Sequence, residues 1–482
     1  MIQDHQYDVV VIGSGPSGRT VSLRSAKKGF SVALIESELI GGDCHYWACI
    51  PSKALLRPPE ALTEARQVEG AKQAASGDLS VESIFARRDN FVDHWNDSKL
   101  ADKLMEKAIH IFRGHGRLNG SKSVVVISGN GNNTSLVARH AVVLCTGSSA
   151  VIPDVPGLVQ ARPWTGRNAT SAKNPPRNLA IMGDGPVACE MADAWCALGT
   201  KVTILSRHAR ILNKYEPFVS EFLATAFQRR GISICNNVNI KEVERIDSQS
   251  PIQIMLDDGS DMVGDELLVA VGRKPNTEDL GLETVGLKPR QWLDIDDTCL
   301  VQGVNGEWLY AVGDINHRAL LTHIGKYQAR ACAEAIQLRA SGTYDGVNDN
   351  GGEVWSKSTA KADRDTIPQV IFTDPQIASV GLTEQDAKNL KLGVRAVDHD
   401  MSTLEGAKLH TDGYIGHARI IVDEDRQVIV GATFIGPQVG ELLHSATIAI
   451  IGQVPLDRLW HAIPAFPTVS EVWVNLLESC GF

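Results

Sequence analysis

An α/β fold with two dinucleotide-binding βαβ units is predicted for this chain of 482 residues. The first observation is residues 7–36, which read as a strand, a glycine-rich turn, a helix and a second strand. The second is that the pattern returns at residues 178–206. Eighteen positions separate Gly18 from the end of the first unit, and eighteen separate Ala188 from the end of the second. The third is the alternation of residues 417–435, which predicts antiparallel strands in a C-terminal α+β domain.

The first glycine motif predicts a dinucleotide site. Gly13, Gly15 and Gly18 allow a tight turn, close approach of the backbone to a pyrophosphate and close packing of the helix, whose amino end favours negative charge. Glu36 ends the second strand, where a carboxylate accepts a hydrogen bond from a ribose hydroxyl.

A cysteine pair follows this unit. Cys44 and Cys49 lie five positions apart, a spacing compatible with a disulfide across one turn at the start of a helix. A thiolate near a helix amino end is stabilised by the local dipole. Metal binding and structural thiols remain alternatives, although no nearby His/Cys cluster completes a zinc ligand set.

The second glycine motif repeats the first with one change of charge. Gly183, Gly185 and Ala188 take the glycine-motif positions, and Ser206 takes the position of the carboxylate. Two glycine motifs and a cysteine pair are the parts of one electron path, in which a nicotinamide delivers hydride, a flavin accepts it and a disulfide is reduced.

Basic residues after Ser206 predict the nucleotide that the second motif prefers. Arg207, His208 and Arg210 follow directly. A carboxylate at this place repels a 2′-phosphate, whereas arginine binds it with two hydrogen bonds. We therefore expect NADPH to be preferred, with NADH possible. The alternative is that Arg207 and Arg210 form a solvated face.

The chain resembles the flavoprotein disulfide reductase family, which includes dihydrolipoamide dehydrogenase, glutathione reductase and mercuric reductase, over nearly all of its residues. The motifs that carry the resemblance are "GSGPSG" with Glu36, "GGDCHYWACIPSK", "VVLCTGS", "GDGPVACE", "AVGRKPNT", "AVGD" and "FTDPQIASVGLTE". "SRHARIL" is also similar to the segment by which glutathione reductase prefers NADPH.

The resemblance implies roles for individual residues. Cys49 is the thiol beside the flavin and Cys44 the interchange thiol that faces the acceptor. Lys53 and Glu190 match a charge pair near flavin N5, and Asp314 matches a contact of FAD. Further cofactor-binding residues implied by the motifs are Thr146, Gly147, Gly272 and Gly313. The resemblance also implies a homodimer whose C-terminal domain completes the partner subunit's active site.

Length and pattern together predict the domain limits. The expected segments are the first part of an FAD-binding domain (1–150), an NAD(P)-binding domain (151–275), a central part of the FAD-binding domain (276–345), an exposed polar linker (346–366) and a C-terminal dimerisation domain (367–482). Within the first segment, residues 52–114 are expected to be helical and charged, and residues 129–135 are expected to form a turn between two strands.

The family pattern breaks near the carboxy end. Thiol-substrate members carry a histidine before Pro-Thr and a glutamate five positions later, and that histidine activates the interchange thiol. Alignment on Glu471 puts Phe466 in its place. Phenylalanine accepts no proton, which argues against reduction of lipoamide or glutathione disulfide by the usual mechanism. His461 or His45 as a replacement base, or an acceptor that needs no base, as for mercuric reductase, are the alternatives.

The sequence is therefore interpreted as an NADPH-dependent, FAD-containing oxidoreductase that passes electrons through the two cysteines to a small-molecule acceptor. A quinone or metal-ion reductase with dispensable or metal-directed cysteines, and a flavin-binding partner protein, are the alternatives. Bulky residues His45, Tyr46 and Trp47 are expected to narrow the approach to Cys44. Cys480 is a single tail cysteine, whereas family members with redox-active tails use a pair.

Composition excludes other partner classes. Charged residues make up 22%, hydrophobic residues 43%, and the net charge is −10, which offers no basic surface for nucleic acid or an anionic membrane. No run reaches the roughly 18 apolar residues of a membrane span. The amino end shows no signal-peptide core, and nine cysteines are too scattered for a disulfide framework. A cytoplasmic protein without a metal site is expected.

Overall fold

The computed structural model describes residues 5–248, 250–344 and 355–482. The α-helices are α1 (Pro16–Lys27), α2 (Gly42–Tyr46), α3 (Cys49–Arg66), α4 (Val81–Phe91), α5 (Ser98–Met105), α6 (Gly166–Ser171), α7 (Pro186–Ala197), α8 (Pro217–Arg229), α9 (Thr322–Ala340), α10 (Ala362–Asp365), α11 (Glu384–Asn389), α12 (Glu405–His410), α13 (Val439–Ile451), α14 (Leu456–Leu459) and α15 (Val472–Ser479). Short 3-10 helices cover Asp93–Trp95, Leu282–Val285, Asp314–Asn316, Met401–Thr403 and Val469–Glu471. None of the helices in these ranges is long and apolar enough to cross a membrane.

The strands are β1 (His5–Ile12), β2 (Val32–Glu36), β3 (Ile109–Arg113), β4 (His115–Leu118), β5 (Ser123–Ile127), β6 (Asn133–Leu144), β7 (Ser148–Ala150), β8 (Asn178–Met182), β9 (Lys201–Leu205), β10 (Ser233–Cys235), β11 (Ile240–Glu244), β12 (Ile252–Leu256), β13 (Asp261–Gly264), β14 (Glu266–Val269), β15 (Arg273–Pro275), β16 (Leu309–Ala311), β17 (Gln369–Ile371), β18 (Gln376–Gly381), β19 (Val394–Asp400), β20 (His417–Asp423) and β21 (Val428–Gly436).

The described residues form two compact units. The first contains those of Met1–Ile50, Asp89–Ala150 and Gly272–Arg364, and the second those of Pro51–Arg88, Val151–Val271 and Asp365–Phe482. Residues 51–88, which belong to the predicted FAD-binding domain, lie in the second unit. That unit also contains most of the predicted NAD(P)-binding domain and the predicted dimerisation domain.

The first unit is built on a seven-stranded sheet in the order β3-β2-β1-β6-β5-β4, with β16 also paired to β6. Strands β3, β2, β1, β6 and β16 pair in parallel, whereas β5 pairs antiparallel with both β6 and β4. Val9, Val10 and Val11 of β1 have no exposed surface, as expected for the continuous apolar run of a strand covered on both faces. The glycine turn therefore leaves the carboxyl end of a central strand, the usual ligand side of such sheets.

The second unit contains a parallel sheet in the order β10-β9-β8-β14 and an antiparallel sheet β11-β12-β13. Its C-terminal part is a five-stranded antiparallel sheet in the order β17-β18-β21-β20-β19. Helices α13 and α15 contribute to the apolar core of that sheet, which includes Phe434 and Trp473. The predicted fold class, with two βαβ units and a C-terminal α+β part, is confirmed.

Three local predictions need correction. Residues 52–114 do not stay helical, because Ile109–Arg113 pairs with β2 as the edge strand β3. The predicted turn at 129–135 is shorter than expected, since β6 already begins at Asn133. In the predicted linker, residues 345–354 lie outside the described part, but Asp363 is buried and pairs with Arg318 at 3.0 Å. That end of the segment is therefore packed and not an exposed linker.

Candidate active site

The first glycine turn has the shape of a pyrophosphate site. Gly13 has φ +98°, and a Cβ atom there would lie 2.4 Å from the Cys145 carbonyl oxygen. A Cβ on Gly18 would lie 1.9 Å from the Gly13 oxygen, so both positions require glycine. Beside Gly15, in contrast, a Cβ would meet no atom within 4 Å. This open backbone at the amino end of α1 fits the pyrophosphate of a dinucleotide.

Glu36 closes the same turn from the end of β2. Its Oε2 atom accepts hydrogen bonds from the Ser14 backbone N–H at 2.8 Å and the Ser14 hydroxyl at 2.6 Å, and Oε1 accepts from the Glu38 N–H at 2.8 Å. A carboxylate has about four acceptor positions, so one is left for a ribose hydroxyl. The carboxylate predicted from the sequence is thus held in place by its own turn.

Asp314 lies in the same unit at the turn after β16. Its Oδ2 accepts from the Ser148 hydroxyl at 2.6 Å, and the Arg273 Nε atom is 3.8 Å away. Burial raises the pKa of Asp314, and these two neighbours act against that rise. A Cβ on Gly313 would lie 2.6 Å from the Ser17 hydroxyl oxygen of α1, so this turn also requires glycine.

The remaining predicted cofactor residues of the first unit lie in turns. Gly147 and Gly272 have φ of +69° and +144°, values that favour glycine. The Thr146 hydroxyl donates to the Asn276 carbonyl oxygen at 2.9 Å, and this bond ties the turn after β6 to the strand β15 region. The Gly147 carbonyl oxygen in turn accepts from the Asn276 backbone N–H at 3.0 Å.

The cysteines are brought together, but on two helices. Cys44 lies in α2, Trp47 and Ala48 separate the helices, and Cys49 begins α3. The expectation of one helix carrying both is therefore wrong, although the two thiols are within hydrogen-bond contact. The hydrogen bond with Cys49 and burial raise the pKa of the Cys44 thiol. The Cys49 Sγ atom is 3.3 Å from the hydroxyl of Thr322, the first residue of α9.

The aromatic residues that follow Cys44 pack against one another. The rings of His45 and Tyr46 meet edge to face at 4.6 Å, and those of Tyr46 and Trp47 lie 5.6 Å apart. His45 Nε2 is 3.6 Å from an Asp93 carboxylate oxygen. Burial and the charge of Arg19 lower the pKa of His45, and Asp93 opposes them.

Lys53 and Glu190 form an ion pair in the second unit. Lys53 Nζ is 2.7 Å from Glu190 Oε2 and 4.8 Å from the centroid of the Phe372 ring. Glu190 is buried, and its Oε1 atom accepts from the Phe372 backbone N–H at 3.0 Å. The structure thus brings the two predicted residues together. The contact of both with Phe372 was not predicted from the sequence.

The second glycine turn copies the backbone of the first. Gly183 has φ +123°, and a Cβ there would lie 2.4 Å from the Ala270 carbonyl oxygen. Nothing lies within 4 Å of a Cβ on Gly185, the residue before α7. Ala188 is fully buried where the first turn has glycine. This turn also fits a pyrophosphate.

The polar residues of the second turn are arranged differently. Ser206 is fully buried, and its hydroxyl donates to Asp184 Oδ2 at 2.5 Å. The same oxygen lies 2.7 Å from His208 Nδ1. The carboxylate in this turn comes from the residue after the first glycine, and His208 pairs with it. A search for the carboxylate only at the end of the second strand misses this arrangement.

The two arginines of the second turn differ in exposure. Arg207 is exposed, whereas Arg210 is half-buried and donates to the Asn213 carbonyl oxygen at 3.1 Å and the Ser220 hydroxyl at 3.5 Å. Of these two arginines, Arg207 is therefore the one whose guanidinium forms no hydrogen bond with another described residue.

The predicted C-terminal residues belong to the second unit. Phe466 is 73% exposed and His461 is also exposed. Glu471 Oε2 accepts from the Gly406 N–H at 3.4 Å. Cys480 is half-buried against the C-terminal core, and burial raises its pKa. Among the described residues, no group of three or more His, Cys, Asp or Glu side chains is arranged to hold a metal ion.

Comparison with known proteins agrees with these features. Residues 7–337 match the family described as pyridine nucleotide-disulphide oxidoreductase, and residues 367–477 match its dimerisation domain. Dihydrolipoyl dehydrogenase of Chlamydia pneumoniae is 30% identical over 473 residues, which cover 98% of this chain and 96% of the relative. Mercuric reductase of Staphylococcus aureus is 27% identical over 472 residues, which cover 97% and 81%.

Two solved structures share the fold. LpdA of Mycobacterium tuberculosis has a TM-score of 0.81 at 22% identity, with 99% of each chain covered. RclA of Escherichia coli, described as an HOCl-induced flavoprotein disulfide reductase, has a TM-score of 0.79 at 22% identity and covers 98% of this chain and 99% of its own. The chain thus belongs to the pyridine nucleotide-disulphide oxidoreductase family and is a flavoenzyme that uses FAD and NAD(P)H, as the sequence motifs predicted.

Proposed function

We propose that this enzyme transfers electrons from NADPH through FAD to a disulfide formed by Cys44 and Cys49, and from there to a small-molecule acceptor. The contact between the two thiols carries the proposal. Thiols in hydrogen-bond contact reach disulfide geometry by side-chain rotation, without a change of fold. Helix α3 begins at Cys49, where the amino-end dipole favours a thiolate.

The first unit supplies the residues that hold FAD. Bound FAD supplies two-electron chemistry between a nicotinamide and a disulfide. The backbone around Gly13 and Gly15 binds the pyrophosphate, Glu36 accepts from a ribose hydroxyl, and Asp314 accepts from the remainder of the cofactor. The open space beside Gly15 and the free acceptor position of Glu36 support this assignment.

Lys53 and Glu190 hold a positive charge for the cofactor. The 2.7 Å ion pair and the Phe372 ring fix the Lys53 ammonium, which stabilises negative charge on the reduced cofactor. Glu190 is a positioning residue, because its second oxygen is engaged by the Phe372 N–H. A lysine with free rotation would lose more side-chain entropy on taking up this position.

The second turn is assigned to NADPH. Arg207, exposed at the end of β9, binds the 2′-phosphate, and Arg210 adds positive charge behind it. Hydrogen bonds with His208 and Ser206 engage the Oδ2 atom of Asp184 and weaken its repulsion of a phosphate.

The acceptor is one whose reduction needs no histidine at position 466. Phe466 is exposed and accepts no proton, and Glu471 has no imidazole five positions before it. The match to a dimerisation domain supports a homodimer, and in this proposal Phe466 of each subunit lies at the cysteine pair of the other subunit. Metal ions and quinones are such acceptors, since neither leaves as a thiolate that must be protonated.

An acceptor panel tests this proposal. NADPH oxidation is measured with mercuric ion, a naphthoquinone, lipoamide and glutathione disulfide, for the wild type, Cys44→Ser and Cys49→Ser, with Cys480→Ser as a thiol control. We expect mercuric reduction to be lost in the first two variants and kept in the control. Full quinone and metal turnover in Cys44→Ser would instead favour a diaphorase with dispensable cysteines.

A gain-of-function variant tests the role of position 466. Phe466→His restores the base and should raise turnover of lipoamide or glutathione disulfide by about 100-fold, a typical general-base contribution. An equal rise in Phe466→Ala would mean that removal of bulk, and not a base, is responsible. No rise in either variant would contradict the proposed place of Phe466.

A further inference from the structure

A positive charge beside Cys44 has no role in the function described so far. Arg19 follows the last glycine of the first turn and lies in α1, where its N–H donates to the Gly15 oxygen at 3.0 Å. Helix α2 begins against this same turn, since a Cβ on Gly42 would lie 2.8 Å from the Gly15 Cα atom. Arg19 lies one helical turn after Gly15 in α1, and Cys44 lies two residues after Gly42 in α2. Both residues are therefore close to the contact between Gly15 and Gly42.

The electrostatic couplings agree with this packing. The charge of Arg19 acts on three neighbouring side chains. It opposes the rise that burial causes in the pKa of Cys44 and of Tyr46, and it adds to the fall that burial causes in the pKa of His45. Burial lowers the pKa of Arg19 itself, and Cys44 raises it. A guanidinium stays protonated through the physiological range even so.

Arg19 is also unpaired. Within the described ranges it forms no ion pair with an Asp or Glu side chain, and its Nε atom is buried without a hydrogen-bond partner. A buried donor without a partner costs about 1–3 kcal/mol, so this placement of Arg19 lowers the stability of the fold unless another interaction of its charge offsets the cost. The carboxylate of Asp93, which acts on both His45 and Tyr46, lies 3.6 Å from His45 Nε2 and 2.7 Å from Lys99 Nζ.

We propose that Arg19 is a positioning residue that stabilises the thiolate of Cys44, and that this fixed charge performs part of the task given to a histidine base in thiol-substrate members. The inference rests on the proposed function of Cys44 as interchange thiol. A fixed charge differs from a base because it favours the thiolate without accepting its proton. The proton passes to solvent, and the thiolate is then free to attack an acceptor.

The groups that face Cys44 determine the pKa of its thiol, which a pH profile of its reactivity measures. Cys49 approaches from the start of α3, Thr322 from the start of α9, and Arg19 from α1. Thr322 and Arg19 favour the thiolate, whereas Cys49 and burial oppose it. Removal of Arg19 leaves the other three influences in place.

The test measures alkylation of Cys44 and does not depend on turnover. Flavin-loaded protein is reduced with a phosphine, the reductant is removed without oxygen, and iodoacetamide labelling of Cys44 is followed by mass spectrometry from pH 5 to 10. Arg19→Met should slow labelling at pH 7 about tenfold, the effect of one unit of pKa, and move the profile to higher pH. Arg19→Lys should keep most of the rate.

Controls separate charge from structure. Arg24→Met removes a positive charge from the exposed face of the same helix and should leave the Cys44 profile unchanged. Equal slowing in Arg24→Met and Arg19→Met would overturn the proposal, and so would an unchanged profile in Arg19→Met. Loss of bound flavin in Arg19→Met, matching the loss of labelling, would assign Arg19 to the pyrophosphate and also overturn it.

The same samples distinguish failure of the inference from failure of the proposed function. If NADPH does not reduce the disulfide but Arg19→Met still shifts the Cys44 profile after phosphine reduction, the charge role stands and the proposed electron path fails. If NADPH reduces the disulfide and the profile does not move, the path stands and Arg19 has no part in it.

Discussion

The two glycine turns share a backbone and differ in where they keep their carboxylate. Each leaves a central parallel strand, each has an open glycine before a twelve-residue helix, and α1 and α7 both begin with proline. In the first turn a serine after the first glycine donates to Glu36 at the end of the next strand. In the second turn the hydroxyl and carboxyl exchange places, and Ser206 donates to Asp184.

Under the proposed assignment, this exchange lets one design serve two cofactors. The first arrangement leaves a carboxylate at the strand end, which is the proposed place of a ribose hydroxyl. The second withdraws the carboxylate into the turn, pairs it with His208 and leaves the strand end to Arg207. A hydrogen bond of similar length closes both turns, so the binding surface changes its charge while the closure of the turn is kept.

The largest effect is expected where the two turns differ in packing. Gly18→Ala places a Cβ 1.9 Å from the Gly13 oxygen, so the turn must open. We expect a loss of at least about 3 kcal/mol of stability and of most bound flavin. The matched change Ala188→Gly should cost only about 1 kcal/mol, the difference in helix propensity. Thermal denaturation and flavin content measure both, and equal losses would contradict the packing difference.

A double substitution makes the second turn resemble the first. Asp184→Ser with Ser206→Glu restores a carboxylate at the strand end. The ratio of kcat/KM for NADPH to that for NADH should fall by about 10- to 100-fold, as loss of one charge-assisted contact implies. An unchanged ratio would mean that the position of the carboxylate does not set the preference.

Substitution of Arg207 alone also tests the proposed preference of the second turn for NADPH. Arg207→Ala should raise KM for NADPH about fivefold, because an exposed charge contact contributes only about 1 kcal/mol. KM for NADH should not change, since it lacks the 2′-phosphate. Arg229→Ala removes an exposed arginine of α8 in the same unit and is the control. An equal rise in KM for NADH in Arg207→Ala would show that Arg207 acts through its general charge and not through contact with the 2′-phosphate.

The smallest effect is expected from the serines that close the turns. Ser14→Ala removes the 2.6 Å bond to Glu36 and should weaken FAD binding about fivefold, the effect of one hydrogen bond. Ser206→Ala removes the 2.5 Å bond to Asp184 and should affect NADPH and not FAD. Titration of each variant with both cofactors measures this. If each variant weakened the binding of both cofactors equally, the prediction that the turns act separately would be contradicted.

Much of this arrangement could be predicted from the sequence. Both βαβ units follow from glycine motifs in register, because only glycine fits at positions such as Gly13 and Gly183. The break between the cysteines could have been foreseen as well. Pro51 is tolerated in the first turn of a helix, so it marks the start of α3 near Cys49 and leaves Cys44 outside.

The rest depends on tertiary contacts that no local pattern encodes. Arg19 reads as an ordinary helix residue until α2 packs against the Gly15 turn. Asp184 and His208 are far apart in sequence and meet only when β8 and β9 pair in parallel. The domain limits and the roles of the site residues stay predictions until the measurements above are made.

One measurement tests the electron path most directly. The flavin-loaded enzyme is labelled with iodoacetamide before and after anaerobic addition of NADPH, and the labelled cysteines are identified by mass spectrometry. We predict that Cys44 and Cys49 are joined before NADPH and both labelled after it, while buried Cys189 does not change. A pair that is free before NADPH, or still joined after it while the flavin is reduced, would contradict the proposal that these two cysteines carry the electrons.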